Sequence, residues 1–323
     1  MKGGEIVKYI IRKISTLILT LFIVSIFTFT AFQVIPGDSV LSTLGMDASP
    51  EAIQALRQER GLDENLALRY GRWLGNVLQG DFGKSTQYNM EVGALVSSRL
   101  TVTVGLALLS IILIIAISIP LGILSAMKEG GIIDRMLTLL TQTMMAIPPF
   151  FLGMILTLIF GICLKWFVPG NYVSFSENKG KFFAYLIYPA IAMAIPKIAM
   201  TVKFLRSSIR RQMHLEYVRT AKSKGNSKKD ILVKHVLKNA LIPVITFLGM
   251  IIADVLAGSI IVEQVFNLPG LGRLLVVAIS SRDYAVVQAV VLYIAAIVVV
   301  INLFVDVLYR IIDPRISKEG GAE

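Results

Sequence analysis

Sulfur and imidazole are scarce in this sequence, and charge is thin. One cysteine, Cys163, stands among 323 residues, which excludes an internal disulfide and a cysteine-rich metal site. The two histidines, His214 and His235, lie in a basic stretch without further ligands. Asp, Glu, Lys and Arg make up 16% of the chain, where soluble domains carry roughly a quarter. Catalytic signatures are missing too. There is no P-loop pattern of Gly, four residues and Gly-Lys-Ser/Thr, no His-Glu-x-x-His and no Gly-x-Ser-x-Gly elbow. The chain is therefore not expected to be an enzyme, and no cofactor is expected on it. Ion-coupled carriers bury several ionisable groups within their spans, and this chain has few.

What abounds is apolar length. Hydrophobic residues reach 55%, and the mean hydropathy is +0.73. Runs long enough to cross a bilayer fall at about 11–34, 101–127, 136–164, 182–204, 240–262 and 285–309. The fold class that follows is all-α and polytopic, with about six transmembrane helices. Lys8, Arg12 and Lys13 followed by an apolar stretch resemble the start of a secretory signal, but the stretch from Ile14 to Ile35 is too long and no small-x-small site follows. An uncleaved first span is expected.

The formal charge of +11 reads as topology and not as nucleic-acid binding, because the bases cluster between spans. From Lys203 to Lys238 there are eleven Lys and Arg residues against only Glu216 and Asp230. That loop is expected on the cytoplasmic side of a bacterial inner membrane, which places both termini there as well. The chain then divides into an N-terminus with its first span (1–35), an extracytoplasmic segment (36–100) and a core of five spans (101–323) enclosing a cytoplasmic loop at 204–239. Within 36–100, Ser49-Pro50-Glu51 ahead of Ile53 and Leu56 predicts a capped short helix.

Pro148-Pro149 removes two backbone donors from the third run and predicts a break near mid-membrane, of the kind that lines cavities or merely fits packing. Small residues every fourth position (Gly249, Ala253, Ala257; Gly153, Thr157, Gly161) predict close helix contacts. Asp254 is the one deep charge that calls for a partner: either a cationic group of a solute in a hydrated cavity or a polar group of a neighbouring helix. Counted from the expected span ends, Lys197 and Asp254 differ in depth by about a helix diameter, so a direct pair is not expected and Lys197 is read as snorkelling. Asp306 is expected to meet Arg310 one turn on.

The stretch from Glu216 to Pro243 reads as two short helical pieces hinged at Gly225, with Asn226 and Ser227 able to cap the second. It resembles the EAA loop of permease subunits of ABC importers, in the form found among oligopeptide and dipeptide permeases. Arg219, Thr220, Ala221 and Gly225 occupy the places of Glu-Ala-Ala, three residues, Gly. Ile35-Pro-Gly-Asp38, Ala146 to Gly153, Val265 to Leu275, Arg282-Asp-Tyr284 and Asn302 to Arg315 resemble the first of the two permeases in such importers.

The resemblance implies a type I importer. A second homologous permease would complete the pathway in the bilayer. Two ATP-binding subunits would hold ATP and Mg, and an extracytoplasmic solute-binding protein would deliver peptides. The residues implied for ATPase coupling are Arg219, Thr220, Ala221, Gly225, Ser227, Lys228 and Lys229, while Pro148, Pro149 and Asp254 are candidates for the pathway. Relatives in the same class carry nickel chelates, haem, glutathione or opines; a stand-alone channel or ion-coupled carrier is the rival from another class. The segment from Glu263 to Asp283 is expected to form an external or re-entrant hairpin.

Overall fold

The computed structural model describes residues 3–34, 49–59 and 64–312. Ile35-Pro-Gly-Asp38, Arg315 and Lys318 lie outside them, and of Ile53, Leu56 and Arg310 only the backbone is described. The helices, in chain order, are α1 Gly3–Val34, α2 Pro50–Glu59, α3 Leu66–Leu78, α4 Val92–Met127, α5 Ile132–Ala146, α6 Pro149–Cys163, α7 Lys179–Met213, α8 Glu216–Ser223, α9 Lys228–Val265, α10 Leu271–Ser280 and α11 Tyr284–Ile312. The described residues contain no strand, only an isolated bridge between Lys84 and Glu91.

Five of the described helices are long and apolar enough to cross a membrane, and α5 with α6 makes a sixth when the bent pair is counted as one span. The bend is 96° and falls at the predicted break. Pro148 is extended (ψ 144°) because the ring that follows it disfavours helical backbone, and Pro149 then opens α6 with its fixed φ. Other prolines, at 120, 189, 196 and 243, sit inside α4, α7 and α9 without ending them.

Two compact units share the chain: residues 1–102 with 269–300, and residues 103–268 with 301–323. The first is built on Val92, Leu95 and Val96 of α4, Leu271 and Leu274 of α10, and Val286 and Val290 of α11, all buried. At its other end Phe29 of α1 meets Tyr70 and Trp73 of α3, and the Tyr70 hydroxyl lies 2.8 Å from that of Ser25. Ser49 bonds Ala52 N at 3.3 Å, as the capped start of α2 requires. Asp283 is fully buried; Ser85 Oγ and Gln87 N both donate to it, which fastens the turn before α4 to the start of α11.

In the second unit α7 is central and packs against α5, α6 and α9. Its buried alanines (190, 192, 194, 199) let those helices approach. Of the small-residue stripes, Gly249 is the tightest: a Cβ there would lie 2.2 Å from Val305. Gly153 sits under Phe266, whereas Ala257 is exposed.

Candidate functional site

The loop between α7 and α9 folds as a helical hairpin. Helix α8 turns Val218 and Ala221 inward, where they pack with Leu205 and Ile209 of α7 and Ile231, Leu232 and Val236 of α9. Arg219, Thr220, Lys222, Lys224, Lys228 and Lys229 are exposed, so one face of the hairpin is a basic surface. Gly225 turns the chain at φ +82°, a region that L side chains rarely adopt. Asn226 Nδ2 donates to Ala221 O at 3.0 Å, and Ser227 Oγ accepts from Asp230 N at 3.1 Å, which caps α9. The hinge and cap expected from sequence are both present. Ala221 faces its own chain, not the exposed surface.

The first turns of α9 are π-helical over Ile231–Val236, and Ser208 Oγ of α7 donates to Ala240 O at 2.8 Å. Beside them stands a buried ion cluster that the sequence reading did not single out. Asp134 at the start of α5 accepts from Arg206 Nε and Nη2, each at 2.7 Å, from Ser125 Oγ of α4 at 2.7 Å and from Gly130 N at 3.0 Å. The signal lay in the Asp at the first turn of a helix, which is as much a helix-start residue as a buried partner.

Lys197 and Asp254 form an ion pair between α7 and α9, against the depth argument. That argument failed because both helices run past the apolar runs used to mark their ends. Ser208 of α7 touches Ala240 of α9, and from that contact the rise is about 17 Å back to Lys197 and about 21 Å on to Asp254, a difference that the two side chains can span. Asp254 is 58% exposed and Lys197 17%. The carboxylate interrupts an exposed apolar face of α9 that carries Met250 and Ile261. Along α9 it stands about 39 Å from Lys228, so the candidate coupling and pathway residues form two separate places. Pro148 and Pro149 mark the α5–α6 bend. The tripeptide Gly83-Lys84-Ser85 belongs to neither place; Lys84 lies 3.7 Å from Glu91, and Ser85 is held by Asp283.

Multiple apolar spans, a bend at paired prolines and a basic hairpin between two packed spans define a multi-pass membrane permease subunit with the type I ABC importer permease fold. Residues 118–318 match the family model described as binding-protein-dependent transport system inner membrane component, and residues 6–107 match the corresponding N-terminal model. The chain belongs to this family. It is 39% identical to the oligopeptide transport system permease protein AppB of Bacillus subtilis, covering 96% of this chain and 99% of that one. Identity is 36% to the probable peptide ABC transporter permease protein y4tP of Sinorhizobium fredii, over 95% of this chain and 98% of the relative. It is 37% to the glutathione transport system permease protein GsiC of Salmonella paratyphi A, again over 95% and 98%. Family membership carries a general dependence on ATPase and binding-protein partners.

Proposed function

We propose that this chain is one of two permease subunits of an ATP-driven peptide importer in a bacterial inner membrane, with both termini cytoplasmic. The observation that carries the coupling role is the hairpin at Gly225: its inner face, Val218 and Ala221, is packed into α7 and α9, and its outer face is basic and exposed. A push on that surface by an ATPase enters two spans directly, as rigid-body alternating access needs. Two ATP-binding subunits hold the ATP and Mg; this chain hydrolyses nothing and binds no cofactor. A second homologous permease completes the pathway, and an extracytoplasmic solute-binding protein loads it.

Peptides are the solute class favoured by relatives named for peptide and oligopeptide transport. Glutathione, itself a small peptide, fits as a second reading because a relative named for it is equally similar. Asp254 is the pathway candidate: although Lys197 pairs with it, its carboxylate stays largely exposed on an apolar helix face, which is expensive against lipid and favours hydrated surroundings. The decisive experiment is uptake of labelled peptide by cells whose only copy of the chain carries Gly225→Trp. Uptake is expected to vanish while the chain stays in the membrane; retained uptake contradicts the coupling role.

A further inference from the structure

Within the second unit, beside the start of α9, lies a pocket of about 200 Å³. Met127 of α4, Ile209 and Met213 of α7 and Leu232 of α9 give it an apolar lining, and the exposed Lys228 and Lys229 border it. Among the described residues no carboxylate lies within ion-pair distance of either lysine: Glu129 is taken by Arg210, and Asp230 by Lys234. Lys229 acts on Asp230 only through space. Ala126, also in the lining, and Met127 close the apolar run of α4, with Lys128 and Glu129 next in sequence. The pocket therefore stands where hydrocarbon gives way to lipid headgroups. Leu124, one turn back along α4, and Ile117, two turns further on the same stripe, are 38% and 40% exposed and continue an apolar track from the pocket into the span.

We propose that this pocket holds the headgroup end of an anionic phospholipid, its phosphate at Lys228 and Lys229 and its chains along α4. Lysine binds phosphate as a compact point charge and needs no planar fork. The volume equals the liquid share of about seven water molecules, which admits a glycerol and the first methylenes but not the chains. Those follow Leu124 and Ile117, and the two methionines, unbranched and adaptable, fit the irregular surface at the glycerol. A soluble protein offers carboxylates to the lysines but has nothing that follows the track into the bilayer. Lys228 and Lys229 are thereby assigned to lipid, while Arg219, Thr220 and Lys222 of α8, none of which lines the pocket, remain for an ATPase. The inference needs only a membrane-spanning chain, so its failure leaves the importer reading standing.

The test releases the full chain from bilayers of phosphatidylglycerol and phosphatidylcholine in equal amounts and counts the retained lipids by native mass spectrometry. One phosphatidylglycerol per chain is expected to stay bound, preferred over phosphatidylcholine by roughly thirtyfold, as two lysines near a lipid phosphate imply. Lys228→Gln with Lys229→Gln should abolish the preference. Ala126→Phe, which fills the pocket from α4 and keeps both lysines, should abolish it as well. Lys222→Gln with Lys224→Gln removes the same charge from outside the pocket and should leave the lipid in place. Equal retention of the two lipids by the unaltered chain, a preference that survives either pocket variant, or one lost equally in the Lys222 and Lys224 variant overturns the proposal. So does loss of a co-purifying ATPase from the Lys228 and Lys229 variant with lipid retention unchanged, which would assign these lysines to a protein partner.

Discussion

Arg206 and Asp134 meet as a two-point fork, both contacts 2.7 Å, with the Asp134 side chain 4% exposed and that of Arg206 27%. The carboxylate thereby joins α5 to α7 and, through Ser125, to α4. Arg206→Ala leaves a buried, uncompensated carboxylate and is expected to destabilise the chain by roughly 3–5 kcal/mol. Arg206→Lys keeps charge but loses the fork, so it should recover only part. Unfolding of the three proteins in one detergent checks the order. Equal midpoints would show that the cluster does not hold these helices.

Gly249 and Val305 leave no room for a methyl group. Gly249→Ala should cost about 1–3 kcal/mol by overpacking, and Val305→Ala in the same chain should return most of it. A double-mutant cycle on unfolding free energy measures the coupling, and strict additivity would mean that the two helices part freely at this point.

Asp283→Ala should remove the acceptor shared by Ser85 and Gln87 and leave the Ser85 hydroxyl buried without it. Loss of about 2–3 kcal/mol is expected, together with faster amide exchange over residues 84–91. Exchange unchanged in that turn would separate its order from Asp283.

For Asp254→Asn, uptake of peptides with a free amino terminus should fall about tenfold, as one lost charge-assisted contact implies, while N-acetylated peptides change little. Equal uptake of both sets removes Asp254 from the pathway. Lys197→Met provides the complementary readout, since it frees the carboxylate from its present partner.

The Gly225 turn and the Ser227 cap were legible because their chemistry is local: one residue type meets one backbone requirement. The Pro148 break was legible for the same reason. Lys197 and Asp254 were misjudged because hydropathy marks where a helix is apolar and not where it ends. Helix α7 continues through Arg206, Arg210 and Arg211 to Met213, held by partners such as Asp134 and Glu129. Those partners come from other segments, and single-residue spacing carries no trace of them.

Helix α9 runs unbroken from Lys228 to Val265, 38 residues, with its base inside the hydrophobic packing of α8. A rod of that length measures about 57 Å, so a tilt of about 5° at its foot sweeps its tip through about 5 Å. Leverage of this kind converts a small movement of the Gly225 hairpin into a displacement as wide as one turn of helix at the far end.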